Sequence, residues 1–366
     1  MPILRKTEIF EEFVMEKKII YLKAEQSSYV NHGKIHIGDI ASVFCEDKES
    51  RKMKYCFGVD IGGTTVKMGL FEATGTILEK WEIKTHTEEE GKAILPDVAA
   101  SLKEKKAEHD LADSDIIGVG VGVPAPVTEE GIVFGSANLG WKYKEVKKEL
   151  EELTGLDVEV GNDANVAALG EMWKGGGAGY KNLIMVTLGT GVGGGIIVGG
   201  KILTGSHGAG GEIGHLRVNP HETESCGCGG KGCLEQYASA TGIVRLAKRK
   251  LEQETRNTIL NRNDLSAKSV FDAVKADDSV AKEIAESFGN YLGRALANLA
   301  AVIDPSIFVI GGGVSKAGEI LLEYVEKPFQ ENAFFANKDV KFALATLGND
   351  AGICGAAKLV LDDFAE

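Results

Sequence analysis

Positive charge is in the minority in this sequence. Lys and Arg together number 41 against 54 Asp and Glu, for a formal net charge of −13 over 366 residues. So acidic a chain lacks the electrostatic footprint of a nucleic-acid binder. Proline is scarce, with only seven residues, and glycine follows no three-residue period, which excludes Pro-rich disorder and collagen. No stretch approaches roughly 18 uninterrupted apolar residues, the signature of a membrane span. The opening MPILRKTEIFEEFVMEKKII breaks each apolar run with charge before it reaches the length of a secretory h-region. The expected setting is therefore cytoplasmic, with no nucleic acid and no membrane among the partners. Cysteine is sparse and uneven. Cys226, Cys228 and Cys233 are grouped, while Cys45, Cys56 and Cys354 stand alone, a pattern that favours metal ligation over a disulfide framework.

Glycine, by contrast, is abundant: 47 residues, and twenty of them fall between Gly175 and Gly232. An average protein carries about 7%. Such clustering points to tight turns or to backbone that must approach a ligand closely. The length allows two to three domains of roughly 100–200 residues each.

Residues 1–52 read differently from the rest, with weak helical periodicity around Ile9, Phe13 and Val14 and then the charged run EDKESRK. They are expected to form an extension outside the folded core. From Tyr55 three β-rich runs follow, YCFGVDI, TTVKMGLF and TILEKWEIKT, separated by Gly62-Gly63 and by Glu72-Ala73-Thr74-Gly75. Residues 91–110 read as an amphipathic helix, and IIGVGVGV as a buried strand ending at Pro124-Ala125-Pro126. The helix YKEVKKELEELTG stops at Gly155; the strand VEVGND and the helix ANVAALGEMW come next. The opening pattern then recurs in NLIMVTLGTGVGGGIIVGGKILTG. A helix-rich stretch ends in FGNYLGRALANLAAVID, where Phe288, Leu292, Leu296, Leu299 and Val302 mark one face. SIFVIGGGVS and the helix AGICGAAKLVL close the chain. A repeated unit of hairpins followed by alternating helices and strands implies two similar α/β lobes with a ligand cleft between them.

The turn in DIGGTTVK combines Asp60, Gly62, Gly63, Thr64 and Lys67. Glycines let backbone N–H groups converge on a phosphate, hydroxyls add donors, and a carboxylate can hold Mg²⁺ or its waters. A plain hairpin turn uses similar residues. The string matches neither the Rossmann nor the P-loop pattern. Its counterpart LGTGVGGGI, around Thr190 and Gly191, makes a matched pair that suggests two loops on one polyphosphate. Gly312 and Gly313 lie between a strand and a helix and suit close approach to a nucleotide base or ribose, or a simple strand-to-helix turn. Asn162 and Asp163 lie at a helix start. Either is a common cap there, and the functional reading makes Asp163 a general base and Asn162 a substrate hydrogen-bonder.

Cys226-x-Cys228-x₄-Cys233, with His215 upstream, supplies four ligands for a closed tetrahedral Zn²⁺ site. Free or redox-active thiols are the alternative. His221 competes for the fourth position, but its place in the irregular NPHETES favours His215. Glu212, His215 and Glu235 flank the loop and suit a polyhydroxylated ligand. In SANLGW, Asn138 fits a sugar contact and Trp141 a loop anchor.

Taken together, DIGGTTVKMG, VTLGTGVGGGIIVGG with EIGH, and CGCGGKGCLE resemble the ROK family (repressors, open reading frames, kinases), and within it the bacterial glucokinases. The resemblance runs from about Met53 to Leu361. It implies an α/β, actin-like ATPase (ribonuclease H-like) fold, duplicated into two lobes with an interlobe cleft. The first lobe would be residues 53–171 completed by the C-terminal helix, 350–366, and the second residues 172–349 with the zinc loop. The implied activity is ATP-dependent phosphorylation of glucose at its 6-hydroxyl, with Mg²⁺ and a structural Zn²⁺, in a homodimer. Asp163 would be the base. Asn138, Asn162, Glu212, His215 and Glu235 would bind sugar. Asp60, Gly62, Gly63, Thr64 and Lys67 would face the phosphates opposite Thr190 and Gly191, with Gly312 and Gly313 beside the adenosine. His215 would serve both zinc and sugar through its two ring nitrogens. Pro124-Ala125-Pro126 stands where the family commonly has Pro-Gly-Pro.

The rival readings are a kinase for another hexose, such as N-acetylmannosamine or fructose, and a sugar-responsive repressor of the same family. A repressor needs a winged helix-turn-helix ahead of DIGGTT, for which residues 1–52 are short. The phosphoryl donor could be ATP, ADP or polyphosphate.

Overall fold

The computed structural model describes the backbone of residues 7–15, 18–31 and 34–47 and the complete residues 53–364. The chain divides into two compact units, Met1–Lys54 and Tyr55–Glu366. In the first, β1 (Thr7–Met15), β2 (Lys18–Asn31) and β3 (Lys34–Asp47) form an antiparallel sheet in the order β1-β2-β3. The helical periodicity around Ile9, Phe13 and Val14 is therefore overturned. Ile9 and Phe13 are four residues apart, a spacing that shares a face in a helix and equally in a strand. The charged run between Asp47 and Met53 lies outside the described residues.

The second unit contains two five-stranded sheets of the same topology. The first uses β4 (Tyr55–Ile61), β5 (Thr65–Glu72) and β6 (Ile77–Lys84). Helix α1 (Ile94–Glu108) leads to β7 (Ile116–Val123). A small hairpin, β8 (Ile132–Val133) and β9 (Lys144–Glu145), leads to helix α2 (Val146–Thr154) and β10 (Val158–Asn162). Its order is β10-β7-β4-β5-β6. Helix α3 (Asp163–Lys174) crosses to the second sheet, β11 (Leu183–Leu188), β12 (Val192–Val198) and β13 (Lys201–Ile202). Helices α4 (Ala240–Gln253), α5 (Ala267–Lys275) and α6 (Ser279–Ile303) precede β14 (Ile307–Gly311), α7 (Glu319–Asn332), β15 (Lys341–Leu344) and the last helix, α8 (Ala351–Phe364). Here the order is β13-β12-β11-β14-β15. In both sheets the first strand is central, an antiparallel hairpin flanks it on one side, and two parallel strands flank it on the other. The fold is the two-lobed actin-like α/β architecture.

Residue pattern explains the local choices. β7, IIGVGVGV, is buried along its whole length, as befits a strand paired parallel on both sides and covered on both faces. β6, ILEKWEIK, alternates half-buried and exposed, as an edge strand does. Gly155 ends α2 in the left-handed conformation at φ 75°. The first lobe's core joins Phe57, Val59, Val119 and Val121 to Ile94, Leu95 and Val98 of α1. The second joins Ile184, Val186, Phe308 and Ile310 to Phe288, Leu292 and Leu296 of α6. Val302, read from sequence as part of that face, is 80% exposed in the last turn before the left-handed Asp304. The strand β15 carries no strong sequence signal and was not anticipated.

The last helix lies directly on the first sheet. A Cβ on Gly58 would fall 2.1 Å from the Ile353 carbonyl oxygen, and one on Gly120 only 1.7 Å from that of Ala356. On its other flank, a Cβ on Gly355 would fall 1.7 Å from the Val166 carbonyl oxygen of α3. In turn α3 backs onto β12, where a Cβ on Gly195 would meet the Ala168 Cβ at 2.5 Å. Helix α3 is thus held between α8 and the second lobe by contacts that only glycine permits. Gly120→Ala is expected to lower stability by about 3 kcal/mol, the upper end of the usual cost of overpacking, read as a shift in the urea midpoint at unchanged m.

Candidate active site

A cavity of ≈ 650 Å³ opens between the lobes, walled by Asp60, Lys67, Asp163, Thr187, Gly193 and Gly312, among others. The wall reflects the duplicated topology. Asp60 and Lys67 are cross-strand partners at the neck of the β4–β5 hairpin, and Thr187 and Gly193 are the corresponding partners at the neck of β11–β12. Both necks enter one cavity, and the two Gly/Thr tips lie beyond them. Gly62, Gly63 and Thr64 form the first tip, closed by the Gly62 N–H donating to the Thr65 carbonyl at 3.0 Å and by the Thr85 hydroxyl donating to the Gly62 carbonyl at 2.6 Å. Neither glycine has positive φ. What they supply is space, because a Cβ on Gly63 would crowd the Asn138 carbonyl at 3.2 Å.

Asp163 is the first residue of α3, at the point where the N-lobe sheet hands the chain to the helix. Burial pushes its carboxyl up to about 6, helped by the nearby charges of Asp60 and Glu212 and opposed by the Ala164 N–H, which donates to its Oδ1 at 2.8 Å. Asp60 is also raised by burial, with Lys67 pulling the other way. Two carboxyls above their ordinary range in one cleft are suited to proton transfer and cation binding. Asn162 is the helix N-cap, its Oδ1 accepting from the Ala164 and Asn165 N–H groups at 3.0 and 3.2 Å. Its Nδ2 donates to the Ala125 carbonyl at 3.2 Å. The cap and the substrate-binding reading thus compete for one side chain, and a single amide hydrogen is left over. Ala125 is buried without positive φ, so alanine sits unstrained where the family pattern has glycine.

Gly312 does need its glycine: φ is +84°, and a Cβ would lie 2.5 Å from the Leu188 carbonyl oxygen. Gly313 faces open space. Behind them Glu171, fully buried, was missed in the sequence. Its carboxylate accepts from the N–H groups of Gly176 at 2.8 Å, Thr346 at 3.1 Å and Leu347 at 2.8 Å. It thereby pins the cavity wall at residues 345–349 to α3. No sequence signal marks it, since its partners are up to 176 residues away.

Thr190 and Gly191 line a neighbouring recess with Cys226 and Glu235. The Thr241 hydroxyl donates to the Thr190 carbonyl at 2.8 Å. Glu235 joins this tip to the cysteine loop: its Oε2 accepts from the Val192 N–H at 3.3 Å, and its Oε1 lies 3.2 Å from the Cys226 Sγ. Cys226, Cys228, Cys233 and His215 offer ligand atoms that all lie within 4.8 Å of one another. The Cys228 and Cys233 sulfurs are 3.7 Å apart, and the Cys226 sulfur is 3.9 Å from His215 Nδ1. A tetrahedral ion with bonds of about 2.3 Å sets its sulfurs about 3.8 Å apart, so this donor set fits zinc. His221 is not in the group. The other ring nitrogen of His215, Nε2, is 3.9 Å from Glu212 Oε2, and both side chains are exposed. Buried Glu222, paired with Arg249 and bonded to Tyr237, ties the loop to α4. Asn138 is exposed, while Trp141 is buried with its indole N–H donating to the Gly91 carbonyl at 3.2 Å.

The family model described as ROK family matches residues 56–363. The chain belongs to the ROK family. A glucokinase from Halalkalibacterium halodurans is 45% identical over 313 residues, covering 84% of this chain and 95% of that protein. The crystal structure of a ROK family glucokinase from Streptomyces griseus in complex with glucose and AMPPNP is similar with a TM-score of 0.65 at 35% identity, covering 84% of this chain and 99% of that one. A ROK hexokinase from Thermus thermophilus aligns with a TM-score of 0.72 at 29% identity, covering 85% and 100%. Among the described residues of this ROK protein, no helix is long and apolar enough to cross a membrane.

The raised Asp163 carboxyl has a consequence for stability. Its folded pKa, about 6, lies above the ordinary 3.8, so the folded state holds the proton more tightly and ionisation at neutral pH opposes folding. Asp163→Asn is therefore expected to raise Tm at pH 7.5, with the gain shrinking as pH falls from 6 towards 4; melting curves of both proteins across that range check it.

Proposed function

We propose that this chain is a glucokinase, transferring the γ-phosphoryl group of ATP to the 6-hydroxyl of glucose. The observation that carries the reading is Asp163, a half-buried carboxyl raised to about 6, on the wall of a cavity that both hairpin necks enter. The glucokinases among its relatives support the same activity. In this reading the 6-hydroxyl oxygen attacks the γ-phosphorus, its proton passes to the Asp163 carboxylate, and ADP leaves. The base has limited work in a loose transition state, so positioning and charge neutralisation supply most of the catalysis.

Asn138, Asn162, Glu212, His215 and Glu235 surround the sugar in this proposal. Asp60, Gly62, Gly63, Thr64 and Lys67 face the phosphates across from Thr190 and Gly191, and Gly312 and Gly313 border the adenosine. Asp60 would hold Mg²⁺ together with the nucleotide; bound there, the ion neutralises phosphate charge. His215, Cys226, Cys228 and Cys233 would hold a structural Zn²⁺, which fixes the shape of the loop carrying Glu235. Burial pushes the Cys226 and Cys233 thiols up, so a cation would favour their thiolate forms. We take the first lobe as residues 53–171 completed by 350–366, the second as 172–349, and the segment before them as outside the catalytic core. The setting is the cytoplasm, where ATP and reduced thiols coexist. A homodimer is supported by the exposed apolar pair Phe334 and Phe335, whose tilted rings lie 4.3 Å apart.

The deciding experiment is a coupled assay with ATP, ADP or polyphosphate against glucose, fructose, mannose and N-acetylmannosamine. Glucose with ATP is expected to give the highest kcat/KM, falling as pH drops below about 6, and Asp163→Asn to lose at least a hundredfold in kcat. A wild-type rate in that variant removes the base assignment; preference for another hexose replaces the substrate. Cys228→Ser is expected to lose bound zinc and activity together, because metal binding and local folding are coupled; one equivalent of zinc retained in elemental analysis refutes the ligand set.

A further inference from the structure

Strands β14 and β15 run parallel and end side by side, with Ile310 opposite Leu344 and the Ala345 N–H donating to the Ile310 carbonyl at 2.9 Å. The chain that leaves each strand therefore emerges at one edge of the sheet. Gly312 and Gly313 come from β14, and Ala345, Thr346, Gly348 and Asn349 from β15; all six line the catalytic cavity. Ligands of α/β sheets gather at such carboxyl ends. The wall takes in none of Asn138, Asn162, Glu212, His215 and Glu235, the residues given to the sugar.

The segment after β15 is held from below by one side chain. Glu171, 0% exposed, receives the Gly176 and Thr346 N–H groups on its Oε2 and the Leu347 N–H on its Oε1. A buried carboxylate is costly unless its oxygens are satisfied, and backbone amides satisfy both here. The carboxylate is also enclosed, since a Cβ on Gly175 would fall 1.9 Å from Oε2. Beside it, a Cβ on Gly170 would fall 2.3 Å from the carbonyl oxygen of Ala351, the first residue of α8. One residue further, a Cβ on Gly352 would fall 2.5 Å from Asp60 Oδ2. Asp163, the wall after β15 and the Asp60 carboxylate are thus all referenced to α3. Asp163 and Glu171 stand about 12 Å apart along its axis, at about 1.5 Å per residue.

We propose that Glu171 is a positioning residue for the nucleotide: by tying the Thr346 and Leu347 amides to α3, it sets the wall beside the adenosine at a fixed distance from Asp163. The inference rests on the kinase reading above. Glu171 itself touches neither substrate and acts through the residues that follow β15. Glutamine has nearly the same shape, but only one of its two terminal atoms is an acceptor. Whichever way its amide lies, at least one of the three backbone N–H groups meets an NH₂ group and loses its bond.

The test compares full-length wild type with Glu171→Gln, by calorimetric titration with Mg²⁺ and AMPPNP and by kinetics with each substrate varied. The Kd of AMPPNP and the KM of ATP are expected to rise at least fivefold, with the KM of glucose within twofold and kcat within threefold of wild type. Equal rises in both KM values (a general loosening), a fall in kcat alone, or unchanged AMPPNP affinity overturns the proposal. A wild type that binds no AMPPNP removes the kinase reading and this inference with it, whereas tight binding by both proteins removes this inference alone. Should the variant fail to fold, hydrogen exchange in the wild type decides. The Thr346 and Leu347 amides are expected to be protected and to exchange more slowly still with AMPPNP but not with glucose; rates indifferent to AMPPNP overturn the assignment.

Discussion

Backbone pressed on backbone through glycine is the constraint on which the rest of this molecule depends. Helix α8 returns to the first sheet and sits on Gly58 and Gly120, while its own Gly355 receives the Val166 carbonyl of α3. Helix α3 in turn rests on Gly195 of β12. This stack fixes the helix that joins the two sheets, and it is from the first turn of that helix that Asp163 enters the cleft. Side chains at any of these positions would separate the layers and move the carboxyl away from the hairpin necks.

Burial then sets the chemistry. The same packing that positions Asp163 also removes water from it, and desolvation outweighs the hydrogen bond from Ala164, so its carboxyl is pushed up to about 6. The second lobe shows a comparable economy of parts. Glu235 touches Cys226 on one oxygen and the Val192 N–H on the other, linking the cysteine loop to the Thr190 hairpin tip. Ordering the loop therefore also orders the tip.

Much of this was legible in the chain. Repeated strand–turn–strand strings gave the duplicated lobes, because hairpin turns and buried strands are written in local composition. Cys226, Cys228, Cys233 and His215 were readable as a candidate ligand set because three of the four come from one loop, and the fold brings their ligand atoms within 4.8 Å of one another. Other features misled. The Ile9–Phe13 spacing suits two periodicities and was assigned to the wrong one, and Val302 kept the helical rhythm of α6 without being buried.

Sequence alone determined the elements, the Gly/Thr turns, the position of Asp163 at a helix start and the thiol cluster, since each depends on residues close together in the chain. Tertiary structure decided that the Asp60–Lys67 and Thr187–Gly193 pairs share one cavity, that Asn162 is largely consumed as a cap, and that Glu171 clamps a loop 176 residues away. Those outcomes depend on which surfaces meet when distant segments pack, and neighbouring residues in the chain carry no record of that.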